Sequence, residues 1–179
     1  MRREVRIAGF GGQGVISIGV LLAKAAGQFG GQEVAQTQSY GPEARGGSCK
    51  TDVVLSDSAI DYIKPLDLGL LVAMAQPAFD TYSAALKDDV LLLLDSTMVT
   101  NVPARFRNVA RIPVTELAET KMGQKVVANV IMLGALARVS GWVTPEACKS
   151  ALAATFAPKI LDKNYAAFDL GYAYEIKRN

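Results

Sequence analysis

Apolar positions along this chain come in short continuous runs punctuated by glycine and proline, the pattern of buried strands alternating with helices. The first run, Val5, Ile7 and Ala8, passes straight into Gly9, Gly11, Gly12 and Gly14, and then into a helical stretch from Val15 to about Phe29. That stretch is apolar nearly all round, with Ser17, Lys24 and Gln28 as a narrow polar stripe, so it predicts a helix sandwiched in the core and ended by Gly27 or by Gly30-Gly31. Glu33 to Ser39 reads as a strand but is too polar for the middle of a parallel sheet. Either it is an edge strand or its polar atoms face a ligand. Ser48 to Leu55 alternates, with Cys49, Thr51, Val53 and Leu55 on one face and Ser48, Lys50 and Asp52 on the other, as a half-exposed antiparallel strand would.

Leu68 to Met74 and Val90 to Leu94 are continuous apolar runs that predict central parallel strands, and Gln76-Pro77 opens a helix between them to about Lys87. Pro113 marks Val109 to Val114 as an edge strand. A short helix from Glu116 to Met122 stops at Gly123, and a longer one from Gln124 to Ser140 is almost wholly apolar except for Asn129. A buried amide without a partner costs about 1–3 kcal/mol, so Asn129 must bond either the protein or a ligand. Thr144-Pro145-Glu146 caps a helix to about Phe156, Asn164 is placed to cap a last one to Tyr174, and Glu175 to Asn179 reads as a frayed tail. No linker or repeat divides the chain, so residues 1–179 form one α/β domain.

Composition narrows the function. The 179 residues are 50% hydrophobic and carry 19 basic and 17 acidic side chains, a net charge of +2 with no basic stripe, which argues against nucleic acid. Mean hydropathy is high at +0.21, yet no apolar run approaches the roughly 18 residues of a membrane span. Surplus apolar surface of this kind is expected to meet another protein. The start of the chain shows no secretory signal, making the cytoplasm the default location. There is no histidine, which excludes a Ser-His-Asp triad and His-containing metal sites, and two isolated cysteines, Cys49 and Cys148, fall short of the about four thiolates an iron–sulfur cluster needs. Any redox chemistry must belong to a bound cofactor or a partner chain.

Candidate chemistry gathers at loops. Gly9, Gly11 and Gly14 have the G-x-G-x-x-G spacing between a strand and a helix, where the free amides and dipole of the helix start favour a phosphate. The alternative is a glycine-rich turn that merely packs the helix. A NAD site would place an acid at the tip of the second strand, about 20 residues on, where this chain has Gln36, Gln38 and Ser39. Ser39 to Gly47, reading S-Y-G-P-E-A-R-G-G, is a loop bearing one aromatic, one acid and one guanidinium, suited to a site or to a plain connection. Asp95-Ser96-Thr97 stands at the carboxyl end of a buried strand, where open α/β sheets bind ligands.

Together G-F-G-G-Q-G-V, S-Y-G-P-E-A-R-G-G, D-S-T and V-V-A-N-V-I-M-L-G-A-L make the chain resemble, over essentially its whole length, the gamma subunit of 2-oxoacid:ferredoxin oxidoreductases. It looks most like the 2-oxoglutarate (2-ketoglutarate) members, with pyruvate, ketoisovalerate and indolepyruvate members close behind. The resemblance implies a three-layer α/β/α fold with a mostly parallel sheet and a Rossmann-like start, as in domain III of pyruvate:ferredoxin oxidoreductase. It further implies oxidative decarboxylation of a 2-oxo acid to its acyl-CoA with reduction of ferredoxin. Thiamine diphosphate, Mg²⁺ and the iron–sulfur clusters would lie on alpha, beta and delta (ferredoxin-like) partner subunits, leaving the isolated chain inactive and free to pair with a second copy of itself. Coenzyme A contacts carried over by position are Gly11, Gly12, Gln13 and Gly14, the neighbourhood of Glu43 and Arg45, Asp95 and Asn129, with no catalytic or metal-binding residue on this chain. The competing readings are a stand-alone dinucleotide-binding redox domain and a structural module that binds no ligand.

Overall fold

The computed structural model describes residues 1–40 and 48–178. Strand β1 (Arg2–Phe10) leads to helix α1 (Val15–Gly27), followed by β2 (Glu33–Tyr40), β3 (Ser48–Ser56), β4 (Leu70–Ala73), α2 (Gln76–Ser83), β5 (Leu91–Asp95) and β6 (Val109–Ile112). Helix α3 (Val114–Thr120), a 3-10 turn at Lys125–Val127, α4 (Ala128–Ser140), α5 (Pro145–Ala153), α6 (Pro158–Ala173) and β7 (Lys177–Arg178) complete it. The strands form one sheet in the order β2-β3-β1-β4-β5-β6-β7. The run β1-β4-β5-β6 is parallel, with β4 and β5 at its centre as their continuous apolar stretches predict, whereas β3 is antiparallel to both its neighbours and β7 is antiparallel to β6. Strands β1, β2, β4, β5 and β6 thus point one way and β3 and β7 the other.

The fold is three-layered but unequal. On one face α1, α3 and α4 cover the sheet, and α5 and α6 stack outside them in a continuous apolar core. The other face has only α2 and the segment carrying Val99 and Phe106, whose smaller core is centred on Phe79. Helix α1 is sandwiched as its composition predicts, lying across β2 and β3 with α5 on its outer side. It comes close to β3 at Gly19, where a Cβ would stand 2.5 Å from the Thr51 methyl. Helix α4 is buried all round because α6 runs along its outer side with no side chain between them at two points. A Cβ at Gly134 would overlap the carbonyl of Phe168, and one at Gly171 the carbonyl of Ile131.

Several expectations need correction. Strand β3 is not half-exposed: only Ser48 and Lys50 are partly open, because it lies inside the sheet with Asp52 buried and paired to Arg6 and Lys50. Asn164 does not cap a helix. Pro158 starts α6 one and a half turns earlier, and the buried Asn164 amide donates to the Ile160 carbonyl at 2.8 Å. The tail is not frayed either, since Lys177 and Arg178 pair with Arg111 and Ala110; β7 therefore takes the edge position that Pro113 suggested for β6. The polar strand β2 is the opposite edge: Gln36 donates to the Thr51 hydroxyl at 3.1 Å and Thr51 donates to the Thr37 backbone carbonyl at 3.0 Å, while Thr37, Gln38 and Ser39 line a groove at the surface. No helix among the described residues is long and apolar enough to cross a membrane.

Strand β5 ends at Asp95, which has no exposed surface and joins β5 to α3. Its oxygens accept from the Thr115 hydroxyl at 2.5 Å and from the Thr97 amide at 3.1 Å. Burial raises its carboxyl above the ordinary value of 3.8, and these hydrogen bonds only partly oppose the shift.

Two predictions follow from this packing. Gly134→Ala and Gly171→Ala should each lose about 1–3 kcal/mol or more in chemical denaturation, through overpacking at the α4–α6 contact. The loss should appear even though alanine is intrinsically the better helix former by about 1 kcal/mol; unchanged stability in both would show that the two backbones do not touch. Because native Asp95 binds its proton more tightly than the unfolded chain does, it adds stability that is complete below the ordinary value and fades as pH rises through the raised one. Wild type should therefore gain stability relative to Asp95→Asn as pH is lowered from 7 to 4, and a difference that does not vary with pH would count against this.

Candidate functional site

The glycine loop is built by its neighbours as much as by its glycines. Beyond β1, the Gln13 amide donates to the Phe10 carbonyl at 3.2 Å, while its side chain accepts from the Phe10 amide and donates to the Met74 carbonyl, both at 2.7 Å. Gln13 therefore braces the loop against the end of β4. Gly9 is glycine to make room for this brace, since a Cβ there would stand 2.5 Å from Gln13 Oε1. Gly12 and Gly14 have φ of +98° and +72°, a region that disfavours side chains. Gly14 is also the N-cap of α1 with no side-chain cap, so the first amides of the helix have no side-chain acceptor.

In the G-x-G-x-x-G scheme the third glycine packs helix on strand. Here that close approach belongs to Gly19, while a Cβ at Gly14 would overlap the side-chain amide of Asn129 on α4. The structure thus brings together Gly14 and Asn129, which are 115 positions apart in sequence. A Cβ on Gly11 or Gly12 would meet nothing within 4 Å, so the loop's outer side is open.

That open side forms the floor of two hollows that meet at Gly12 and Val126. One, of about 300 Å³, is lined by Gly14, Ser17, Asn129, Phe156, Ile160 and Lys163 among others. The other, of about 440 Å³, runs past Gln13, Met74, Met98, Thr115 and Lys125. Both lie at the carboxyl ends of the parallel strands, where this class of sheet binds ligands. Asn129 is only 8% exposed, its side chain has no hydrogen bond with any described residue, and what is open of it faces the cleft. Lys163 has no ion pair among the described residues, whereas Lys125 pairs with Glu119 at 2.8 Å. A helix start, an open amide and a free ammonium share the cleft with the exposed apolar side chains of Val126, Ile160 and Met98. The cleft thus suits a ligand with an anionic end and an apolar body.

Gly12, Gly14 and Asn129 border the cleft together, whereas Gly11 stands on the open side of the loop outside the lining of both hollows. Gln13 lines it while its polar atoms are spent inward. Asp95 lies behind the wall, bonded to Thr115, which lines it. Glu43 and Arg45 lie outside the described residues. Lys163, Lys125, Ser17 and Thr115 were not legible in the sequence as site residues, because nothing in their local pattern sets them apart from ordinary polar positions. The thiols of Cys49 and Cys148 are both buried, and burial pushes Cys148 up to about 12, holding it protonated.

The topology differs from a dinucleotide-binding domain, since antiparallel β3 stands between β1 and β2 and moves the tip of the second strand away from the glycine loop. Its relatives lie elsewhere. A 2-oxoglutarate synthase subunit KorC from Methanothermobacter marburgensis is 45% identical over 96% of this chain and 95% of its own length. The crystal structure of a keto/oxoacid ferredoxin oxidoreductase gamma subunit from Geobacter sulfurreducens superposes with a TM-score of 0.87 at 37% identity, covering 96% of this chain and 95% of that one. A 2-oxoglutarate:ferredoxin oxidoreductase from Magnetococcus marinus, solved with 2-oxoglutarate, coenzyme A and succinyl-CoA bound, matches 96% of this chain with 30% of its own, at 25% identity and a TM-score of 0.85. The profile of the pyruvate ferredoxin/flavodoxin oxidoreductase family spans residues 4–174. The chain belongs to that family and is a gamma subunit of a 2-oxoacid:ferredoxin oxidoreductase.

Proposed function

We propose that this chain supplies part of the coenzyme A site of a thiamine diphosphate-dependent oxidoreductase that converts 2-oxoglutarate to succinyl-CoA and reduces ferredoxin. The observation that carries the reading is Asn129, a nearly buried amide with no partner among the described residues, beside the uncapped start of α1. Coenzyme A has the two kinds of surface the cleft asks for. Its phosphates suit the α1 amides, Lys163 and the Arg45 loop; its pantetheine arm suits the apolar rim of Val126, Ile160 and Met98. Asn129 can both donate to and accept from a polar group of the ligand. Asp95 acts from behind the wall by fixing Thr115, because a carboxylate beside phosphates would repel them. The Magnetococcus enzyme, solved with coenzyme A and 2-oxoglutarate, supports the choice of ligand and of substrate.

The reaction itself needs groups this chain does not bring. Thiamine diphosphate with Mg²⁺ stabilises the carbanion left by decarboxylation, and iron–sulfur clusters carry the electrons to ferredoxin. In this reading they sit on alpha, beta and delta subunits, in the cytoplasm, and this chain holds the acceptor of the acyl group. The highly purified chain should show no 2-oxo acid oxidation even with thiamine diphosphate and an artificial acceptor, and co-expression with its sister subunits should restore it. Turnover by the chain alone would overturn the assignment.

The site is tested in the assembled enzyme. Asn129→Ala removes no bond within the described protein, so its unfolding midpoint should stay close to wild type while the KM for coenzyme A rises by about 5- to 150-fold, the worth of a polar contact of about 1–3 kcal/mol. An unchanged KM would remove Asn129 from the site. Arg45→Lys should raise the KM for coenzyme A and leave the decarboxylation half-reaction, which precedes coenzyme A capture, intact. If wild type and variant discriminate coenzyme A from dephospho-coenzyme A equally, Arg45 does not read the 3′-phosphate.

A further inference from the structure

The end of the sheet opposite the glycine loop carries an arrangement that the ligand cleft does not use. Between β3 and β4, the segment from Asp61 to Asp67 is pinned to the sheet by two charged residues of β1. Arg2 donates to the carbonyls of Tyr62 and Lys64 at 2.8 and 2.9 Å. Glu4, 3% exposed, accepts from the amides of Leu66 and Asp67, both at 2.7 Å, and from Arg2 Nε at 2.5 Å. Hydrogen bonds with an ionised partner are among the stronger ones, so this loop is held in one shape.

What the pinned loop displays is apolar. Tyr62, Ile63 and Leu66 are 49%, 53% and 71% exposed, three of the eight large apolar side chains left open among the described residues and all within five positions. Holding such a cluster rigidly in water gains the isolated chain nothing, whereas a prearranged apolar anchor rimmed by charge is how protein interfaces are built. Beside the loop, a groove of about 390 Å³ is lined by Arg6, Lys50 and Lys64 against a single carboxylate among the described residues, Asp52. Arg6 grips Asp52 through two bonds of 2.7 and 2.9 Å and Lys50 adds a third at 3.2 Å, so the groove keeps a net charge of about two positives.

We propose that this end of the molecule is the docking surface for a sister subunit of the oxidoreductase. That subunit seats an apolar residue against Tyr62, Ile63 and Leu66 and lays carboxylates over Arg6, Lys50 and Lys64. The inference rests on the reading of this chain as one part of a larger enzyme. The KorC relatives that match over 93–95% of their own length are named as subunits, and a subunit meets the rest of its enzyme through a surface. At the rise of a strand, the pinned loop at the start of β1 stands roughly 25–30 Å from the glycine loop, and the groove runs from it along the sheet face as far as Lys50, which pairs with Ala8, so the apolar anchor leaves the cleft open.

The test is co-expression with the sister subunits and purification through a tag on the thiamine diphosphate-binding one, followed by measurement of how much of this chain is retained. Leu66→Asp and Lys64→Glu lie at exposed positions and should leave the melting temperature of the isolated chain unchanged, yet each should cut retention by about tenfold, the effect of losing an interface contact of ordinary strength. Phe29→Asp, an equally drastic change at another exposed apolar residue, should be retained as wild type is. Retention of Leu66→Asp at the wild-type level, or equal loss of Leu66→Asp and Phe29→Asp, would overturn the docking surface. Failure of the wild-type chain to be retained at all would instead overturn the reading of the chain as a subunit of this enzyme, and the surface with it.

Discussion

The carboxyl end of the sheet depends on the start of α1 meeting α4 with no side chain on the α1 side. Gly14 has to be a glycine twice over, once because its φ is positive and once because Asn129 occupies the space a Cβ would take. The contact fixes where the free amides of α1 point and keeps the Asn129 amide beside them. It also makes the loop depend on α4, which is held from behind by the α6 crossing at Gly134 and Gly171. The cleft is thus supported by a sequence of close backbone approaches running from solvent on the α6 side to the glycine loop. A site built on such contacts is fixed in place by the core, and little of its geometry is left to a flexible loop.

This explains which parts of the molecule could be read from sequence. Apolar runs revealed β1, β4, β5, α1 and α4, because each is buried on both sides and burial is what composition records. The antiparallel insertion of β3 between β1 and β2 was only half legible. Its alternation identified a strand, but nothing in the alternation states that Asp52 is buried, since that rests on Arg6 and Lys50 arriving from β1 and from β3 itself. The polar strand β2 presented an edge and a ligand face as alternatives; the sheet order makes it an edge, and Thr51 accounts for the Gln36 side chain by accepting from it across the ladder.

The site shows the same division. The glycines were visible because their spacing is local, and Asn129 stood out because one amide in an apolar helix needs an explanation. Gln13 and Asp95 were also singled out, yet their polar atoms serve internal bonds to Phe10, Met74, Thr97 and Thr115. A sequence shows that a residue can bond; only the fold shows what it bonds first. Lys163 escaped notice for the opposite reason. On α6 it reads as one more solvated lysine, and it gains meaning only because α6 is placed alongside the cleft by its glycine contacts with α4.

The inequality of the two helical layers has a consequence for the assembled enzyme. One face of the sheet is buried under five helices and the other is covered by α2 and a single loop segment, so the outer part of β1, β3 and β2 on that side has no apolar layer to hide under. It is built of charge instead: Arg2, Glu4, Arg6, Lys50 and Asp52, on a face where Tyr82 of α2 lies under both Arg6 and Lys50 at 5.3 and 5.5 Å. Charges drawn this far from water are costly unless each is paired, and Glu4 and Asp52 are the two carboxylates that make the arrangement affordable. Replacing them with apolar residues would suit a domain that stands alone. Keeping them leaves a face that stays in water without an apolar cover, because each buried carboxylate is met by a cation of its own or a neighbouring strand.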